Sequence, residues 1–196
     1  MNYLAHFHLA ARVGSSLTGN YLGDAVKGAV LDTWPREVAE GIRLHRRVDA
    51  FTDSHPDVVR TLALFAPPRR RFAGIIVDMA FDHFLARHWA SFHPGPLSEF
   101  SRSVYVAMAR DTAIMPDAAR ARFERMREHD WLLSYQHVAV IGRALDSIAG
   151  RLSRPTALYG ALEDVERHYD ALEAAFLLFY PQLLHKVQQL GKDSHI

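Results

Sequence analysis

The sequence predicts an all-α, single-domain protein, and three observations carry that prediction. No stretch alternates apolar and polar residues over the length of a strand. Glycine and proline breakers fall at helix-length intervals along all 196 residues. The apolar fraction of 49% and charged fraction of 23% are those of an ordinary globular chain, long enough to bury a core without staples. A single helical domain is expected over residues 1–190, with residues 191–196 a frayed tail.

In chain order, Leu4, Phe7, Leu9 and Val13 begin a first short helix that Gly14 ends. Ser15, Ser16 and Thr18 offer N-caps to a second, from Leu17 to about Val30, which Gly19, Gly23 and Gly28 weaken. Glycines at such spacing suggest close backbone packing or approach to a ligand. Pro35 suits the first turn of a third helix reaching about Thr52, and Pro56 opens a short fourth that stops before Pro67 and Pro68. The run from Phe72 to about Phe92 predicts a central helix, closed by His93-Pro94-Gly95-Pro96. Further helices run from Ser98 to about Asp111, from Pro116 onward, and from Trp131 to about Leu152 with a break near Ser134 and Tyr135. Pro155 marks a loop. The last helix, Ala161 to Leu190, contains Pro181, which should kink or split it.

The central helix is apolar on almost every face, the pattern of a helix buried all round. Within it Asp78 and Asp82 lie one turn apart, about 40° around the axis, and His83 sits about 100° beyond Asp82. Buried carboxylates are costly unless something positive answers them. A buried Arg or a pair of helix dipoles would do so. A divalent metal would too, and the adjacent His favours it.

Other totals bound the chemistry. The chain has no cysteine, so disulfides and thiolate zinc sites are excluded, and any metal must be held by His, Asp, Glu or water. Twelve histidines is a high count for this length. The first ten residues lack the basic n-region of a signal peptide, and no run reaches the roughly 18 apolar residues that span a bilayer. A cytoplasmic location is expected. A net charge of +1 argues against a general nucleic-acid binder. The basic clusters Arg46-Arg47 and Arg69-Arg70-Arg71 are either a solvated face or a dock for an acidic partner.

His45, Asp49 and Asp53 fall at i, i+4, i+8 and make one helical stripe, with His55 just past it. His and carboxylate at that spacing can chelate one metal from a single face. Alternatively Arg43, Arg46 and Arg47 pair with the two acids at the surface. Asp24, in Gly19-Asn20-Tyr21-Leu22-Gly23-Asp24, can cap a turn, pair with Lys27, or complete a carboxylate-rich site. His6 and His8 are two apart, so a helix points them in nearly opposite directions and at most one faces a shared cavity. Each reads more simply as a core histidine. His129-Asp130 reads as surface or interface, and His168-Tyr169-Asp170 as core packing. No phosphate-cradling loop, dinucleotide fingerprint or Ser-His-Asp order is present. Mixed His and carboxylate donors suit Mn²⁺, Mg²⁺ or Fe²⁺, and such a site polarises a phosphoryl oxygen and activates a water. The residues themselves lead to phosphoester hydrolysis.

Four blocks resemble the motifs of the acyl carrier protein phosphodiesterase family: Met1-Asn-Tyr-Leu-Ala-His6-Phe-His8-Leu9, Gly19 to Asp24, Gly41 to Asp53, and Asp78 to Trp89. His168 to Glu173 and Phe179-Tyr180-Pro181 are similar as well, and the match spans the chain in order. The resemblance implies a helical fold like that of the HD-type metal-dependent phosphohydrolases, although here the order is Asp82-His83. It implies a preference for Mn²⁺ and removal of 4'-phosphopantetheine from holo acyl carrier protein, in fatty acid biosynthesis and lipid metabolism. Carried over residue by residue, it makes Asp24, His45, Asp49, Asp78, Asp82 and His83 metal-binding or catalytic; our own division expects Asp24, His45, Asp49 and Asp82 to bind metal and Asp24, Asp78, Asp82 and His83 to act in catalysis. Arg46, Arg47, Arg69, Arg70 and Arg71 would dock the acidic carrier. Two alternatives stand beside this: hydrolysis of a nucleotide or other small phosphoester, and a non-catalytic helical module that binds carrier proteins.

Overall fold

A computed structural model describes residues 1–29, 33–152 and 157–193. Among them are thirteen α-helices, one short 3-10 turn and no strand. The first helices are α1 (Tyr3–Arg12), α2 (Leu17–Leu22), α3 (Arg36–Ser54), α4 (Pro56–Leu62) and α5 (Pro67–Arg70). The centre is α6 (Ala73–Arg87), followed by α7 (Trp89–Phe92) and α8 (Leu97–Ala109). Then come α9 (Asp117–Glu128), α10 (Trp131–Ser134), α11 (Val138–Ala149), α12 (Leu162–Arg167) and α13 (Tyr169–Asp193). No helix among the described residues is long and apolar enough to cross a membrane.

Helix α6 is buried on nearly every face, as its composition predicts, and packs against α1, α4, α11 and α13. Phe81 and Phe84 meet Phe176 of α13 at ring-centroid distances of 5.6 and 6.1 Å. Each such buried ring contributes about 1.5–3 kcal/mol by leaving water. One continuous apolar cluster links these residues to α1, α3, α8 and α11.

Helix boundaries differ from the sequence reading where a tertiary contact chooses the stop. The central helix ends at Arg87, not near Phe92, because His88 turns out of helical geometry and Nε2 pairs with Glu173 Oε1 at 2.8 Å. The last helix is divided at His168 and runs through Pro181 unbroken. Pro181 leaves the carbonyl of Leu177 without its helical donor. Leu177 and Leu178 are exposed, so water reaches that turn, and Gln182 Nε2 donates to the Leu178 carbonyl at 2.9 Å. Helix α13 continues past Leu190 to Asp193, and Gly191 lies against Val13 so closely that a Cβ would sit 3.0 Å from Val13 Cβ. Residues 194–196 of the expected tail, the expected second-helix end at Val30 and the loop at Pro155 lie outside the described residues.

Candidate active site

The site begins at the crossing of α2 and α3. A Cβ on Gly41 would come within 2.9 Å of Gly19 Cα and 2.8 Å of the Ser16 carbonyl, so only a glycine pair lets these backbones approach so closely. Ser16 caps α2 by accepting from Gly19 N at 3.0 Å. One turn on, Gly23 faces the His45 ring directly, and a side chain there would overlap it. Helix α1 brings His6 over the same ring, stacked at 3.9 Å between centroids. His8 points the opposite way, against Tyr180 Oη at 2.8 Å and among Trp89, His93 and Phe100.

Asp49, one turn beyond His45 on α3, bridges the Nε2 edges of the two stacked imidazoles. Its Oδ1 is 3.1 Å from His6 Nε2 and its Oδ2 is 3.0 Å from His45 Nε2. Asp24, in the turn after α2, places Oδ1 3.4 Å from His45 Nε2. His6 and His45 are buried, while the side chains of Asp49 and Asp24 are 33% and 59% exposed, so the cluster opens to solvent through its acids. The ring nitrogens of His6 and His45 and Asp49 Oδ1 are buried without an aligned hydrogen-bond partner. One ligand atom from each of these three residues lies within 4.8 Å of the others. Buried polar atoms normally find partners, so lone pairs converging on a common point instead fit a bound cation. The imidazole–carboxylate donor set suits a divalent ion.

The acids draw positive charge to this point. Burial works to lower the His45 pKa, but Asp24 and Asp49 outweigh it and hold it at about 9. Burial lowers that of His6, only partly opposed by Asp49. For Asp49, burial is overcome by His45, His6 and the Met1 ammonium, which keep its carboxyl well below the usual carboxylate range. Asp24 is likewise lowered against its burial, chiefly by His45.

The two acids of α6 are answered from α1. The Met1 ammonium donates to Asp78 Oδ1 at 2.8 Å and stands 3.7 Å from Asp49 Oδ1, so Asp78 borders the cluster. Asp82 is fully buried and accepts from the backbone N–H groups of Leu4 at 2.7 Å and Ala5 at 3.2 Å. It occupies the N-terminus of α1, where the helix dipole and unpaired donors favour a carboxylate. The structure therefore brings Asp24, His45 and Asp49 together with His6, and sets Asp78 beside them. Both oxygens of Asp82 are engaged by backbone amides, in place of the metal contact expected for it. His83 is not brought to the cluster: its Nδ1–H donates to the Tyr135 carbonyl at 2.8 Å, and Nε2 takes the Tyr169 hydroxyl at 2.7 Å.

The expected docking arginines divide. Arg46 donates to the carbonyls of Val26 and Gly28, both at 2.7 Å, and so holds the turn after Asp24. Arg69 pairs with Asp164 and with the carbonyls of Ala157 and Tyr159. Arg47, Arg70 and Arg71 are exposed, with Arg71 over the Phe72 ring. His129 is exposed, and Asp130, at φ 40°, caps α10 by accepting from Leu133 N. His168 packs edge-on to Phe65. His6 is the site residue that pattern reading undervalued; its only local signal was the His-x-His pair near the start of the chain. A cavity of about 590 Å³ adjoins Asp24, walled by α1, α9, α10 and α11.

Fold and site together define an all-α protein with a buried imidazole–carboxylate centre opening through acids. Residues 1–183 match the family described as acyl carrier protein phosphodiesterase. A protein of that name from Enterobacter sp. (strain 638) is 42% identical over 189 residues, 94% of this chain and 96% of its own length. Those from Klebsiella pneumoniae (strain 342) and Escherichia coli (strain K12 / DH10B) are each 40% identical over 189 residues, with the same shares of 94% and 96%. No solved structure matches the chain. The chain belongs to the acyl carrier protein phosphodiesterase family. Its relatives carry the name of a phosphodiester hydrolase, the enzyme class expected from the sequence.

Proposed function

We propose that this protein hydrolyses the phosphodiester joining 4'-phosphopantetheine to the serine of holo acyl carrier protein, releasing apo carrier protein and free 4'-phosphopantetheine. The reaction takes place at the His6–His45–Asp49 centre. The observation that carries this reading is the convergence of buried, unaligned ligand atoms from those three residues beside the open carboxylate of Asp24.

His6, His45 and Asp49 would hold a divalent ion, Mn²⁺ by resemblance and Mg²⁺ or Fe²⁺ by donor set, with Asp24 at its edge. Such an ion supplies Lewis-acid polarisation of phosphoryl oxygens and makes water more acidic. The chain does the rest. Asp24, ionised and exposed, accepts the proton of the attacking water. The phosphorus–oxygen bond to the carrier serine then breaks, and that oxygen leaves with the proton that Asp24 took from the water. The Met1 ammonium, held in place by Asp78, balances the charge of Asp49, and Asp82 holds α1 so that His6 stays aimed at the centre. Arg47, Arg70 and Arg71 are free to meet the acidic face of the carrier, in a cytoplasmic setting that suits a cysteine-free chain.

Intact-mass spectrometry of holo carrier protein incubated with the enzyme and Mn²⁺ tests this reading. Loss of the arm is the expected result. An unchanged carrier mass, or cleavage of nucleotide phosphodiesters in its place, would overturn it.

A further inference from the structure

The cavity beside Asp24 is lined by three arginines. Arg122 of α9, Arg143 of α11 and Arg151 just past α11 all line it. None of the three has a carboxylate within ion-pair distance among the described residues, whereas Arg60, Arg69, Arg87 and Arg120 each do. Arg122 Nη1 points to Tyr3 Oη at 3.4 Å, and the charges of both Arg122 and Arg151 act on that phenol, as does the charge of Asp24. Arg122 thus touches Tyr3, and Arg151 lines the same cavity within electrostatic reach of it, as does Asp24 of the catalytic cluster. Guanidinium is the side chain best matched to phosphate oxygens.

The rest of the cavity is of another kind. Val140, Arg143, Ala144, Ser147, Ile148 and Arg151 follow helical spacing, so they make one stripe along α11. The opposite face of that helix, Ile141, Leu145 and Ala149, is buried in the core. Trp131 and Met79 complete the apolar walls. A volume of about 590 Å³ lies within the ~300–1,000 Å³ of small-molecule sites.

We propose that this cavity is the binding site for the 4'-phosphopantetheine arm: Arg122 and Arg151 hold its phosphate beside Asp24, and the Trp131–Ala144–Ile148 wall takes the methyl-bearing pantetheine chain. The assignment rests on the hydrolase reading above and names the substrate element that this reading leaves unplaced. Phosphate at the Tyr3 end and an uncharged chain along α11 match the order of charges in the cavity. Arg143, further along the stripe, meets the amide carbonyls of the arm.

Calorimetry with the full-length protein tests the site without turnover, using free 4'-phosphopantetheine, pantetheine and inorganic phosphate as probes. Arg122→Gln and Arg151→Gln should each weaken 4'-phosphopantetheine binding at least tenfold and leave pantetheine unaffected. Ser147→Trp, at an exposed position on the cavity wall, should weaken both while circular dichroism stays unchanged. Absence of 4'-phosphopantetheine binding to the wild type, affinity within twofold of wild type in all three variants, or phosphate binding as tightly as the whole arm would each overturn the proposal. Wild-type enzyme that strips the arm, with variants of unchanged affinity, would remove the cavity assignment and leave the hydrolase reading intact. Arginine-dependent binding without any stripping of holo carrier protein would do the reverse.

Discussion

Gly23 and His45 fit face to face: the imidazole occupies the space that any Cβ at position 23 would need. The position of that ring decides whether Nε2 can lie between Asp24 and Asp49. Gly23→Ala is therefore expected to swing the ring away, with a loss of kcat on the order of 100-fold, the scale seen when groups that orient metal ligands are removed. Far-ultraviolet circular dichroism should stay at wild-type level. Near-wild-type turnover would mean that His45 is not held by this contact.

Metal dependence gives a separate expectation. Divalent ions that bind only the folded protein raise its Tm. Mn²⁺ should raise the wild-type Tm, and a chelator should reverse it. His6→Ala, His45→Ala and Asp49→Asn should each abolish the rise, whereas His8→Gln should keep it, because His8 faces Tyr180 on the other side of α1. A Tm rise that survives in His6→Ala would remove His6 from the centre.

Asp82 and His8 make opposite contributions to stability across acid pH. Burial raises the Asp82 pKa from 3.8 to about 7, against the pull of the Leu4 and Ala5 amides. Its contribution is present below 3.8 and is lost as pH rises through 7, a change on the order of 4 kcal/mol. Burial, helped by His93 and Arg12, lowers the His8 pKa from 6.5 to about 4. That contribution is present above 6.5 and is lost as pH falls through 4, on the order of 3 kcal/mol. The two nearly cancel in the wild type. In urea titrations, Asp82→Asn should gain stability between pH 4 and 6.5, and His8→Gln should lose it between pH 4 and 7. Parallel pH profiles for all three proteins would contradict the pairing.

Asp82→Ala also removes the acceptor for two amides of α1 and should cost about 1–3 kcal/mol. Activity should be partly recovered at low temperature, where the fold persists. Complete loss of turnover in a variant with unchanged Tm would give Asp82 a direct chemical role.

Basic docking predicts a salt effect. Rising ionic strength should raise KM for carrier protein more than it lowers kcat, and Arg47→Ala and Arg70→Ala should imitate it at low salt. Arg69→Ala should instead lower stability by about 1–3 kcal/mol, because it removes one of the two arginines that pair with the buried Asp164 and leaves only Arg167. A KM indifferent to salt would exclude this mode of docking.

Much of the fold was legible because helix-length spacing of breakers and an all-round apolar α6 are local properties of the chain. The stop at His88 was not, since it depends on Glu173, far along the sequence. Within the site, the i, i+4 pair of His45 and Asp49 and the glycine-flanked Asp24 could be read as one cluster. His6 could not be separated from His8 by pattern, because both sit in the same apolar helix and only its docking decides which faces α3. What answers the α6 acids was not legible, for a physical reason. Their answering charges are backbone amides and an amino terminus, and neither leaves a mark in side-chain spacing.

The central claim is that His6, His45 and Asp49 together hold the ion that drives release of the arm. Its most direct test measures Mn²⁺ bound per protein by paramagnetic resonance and the mass of holo carrier protein in the same samples, for wild type and His6→Ala. Wild type should bind the ion and convert the carrier to its apo mass, and His6→Ala should do neither. Full conversion by His6→Ala, or a metal-free wild type that still removes the arm, would contradict the account.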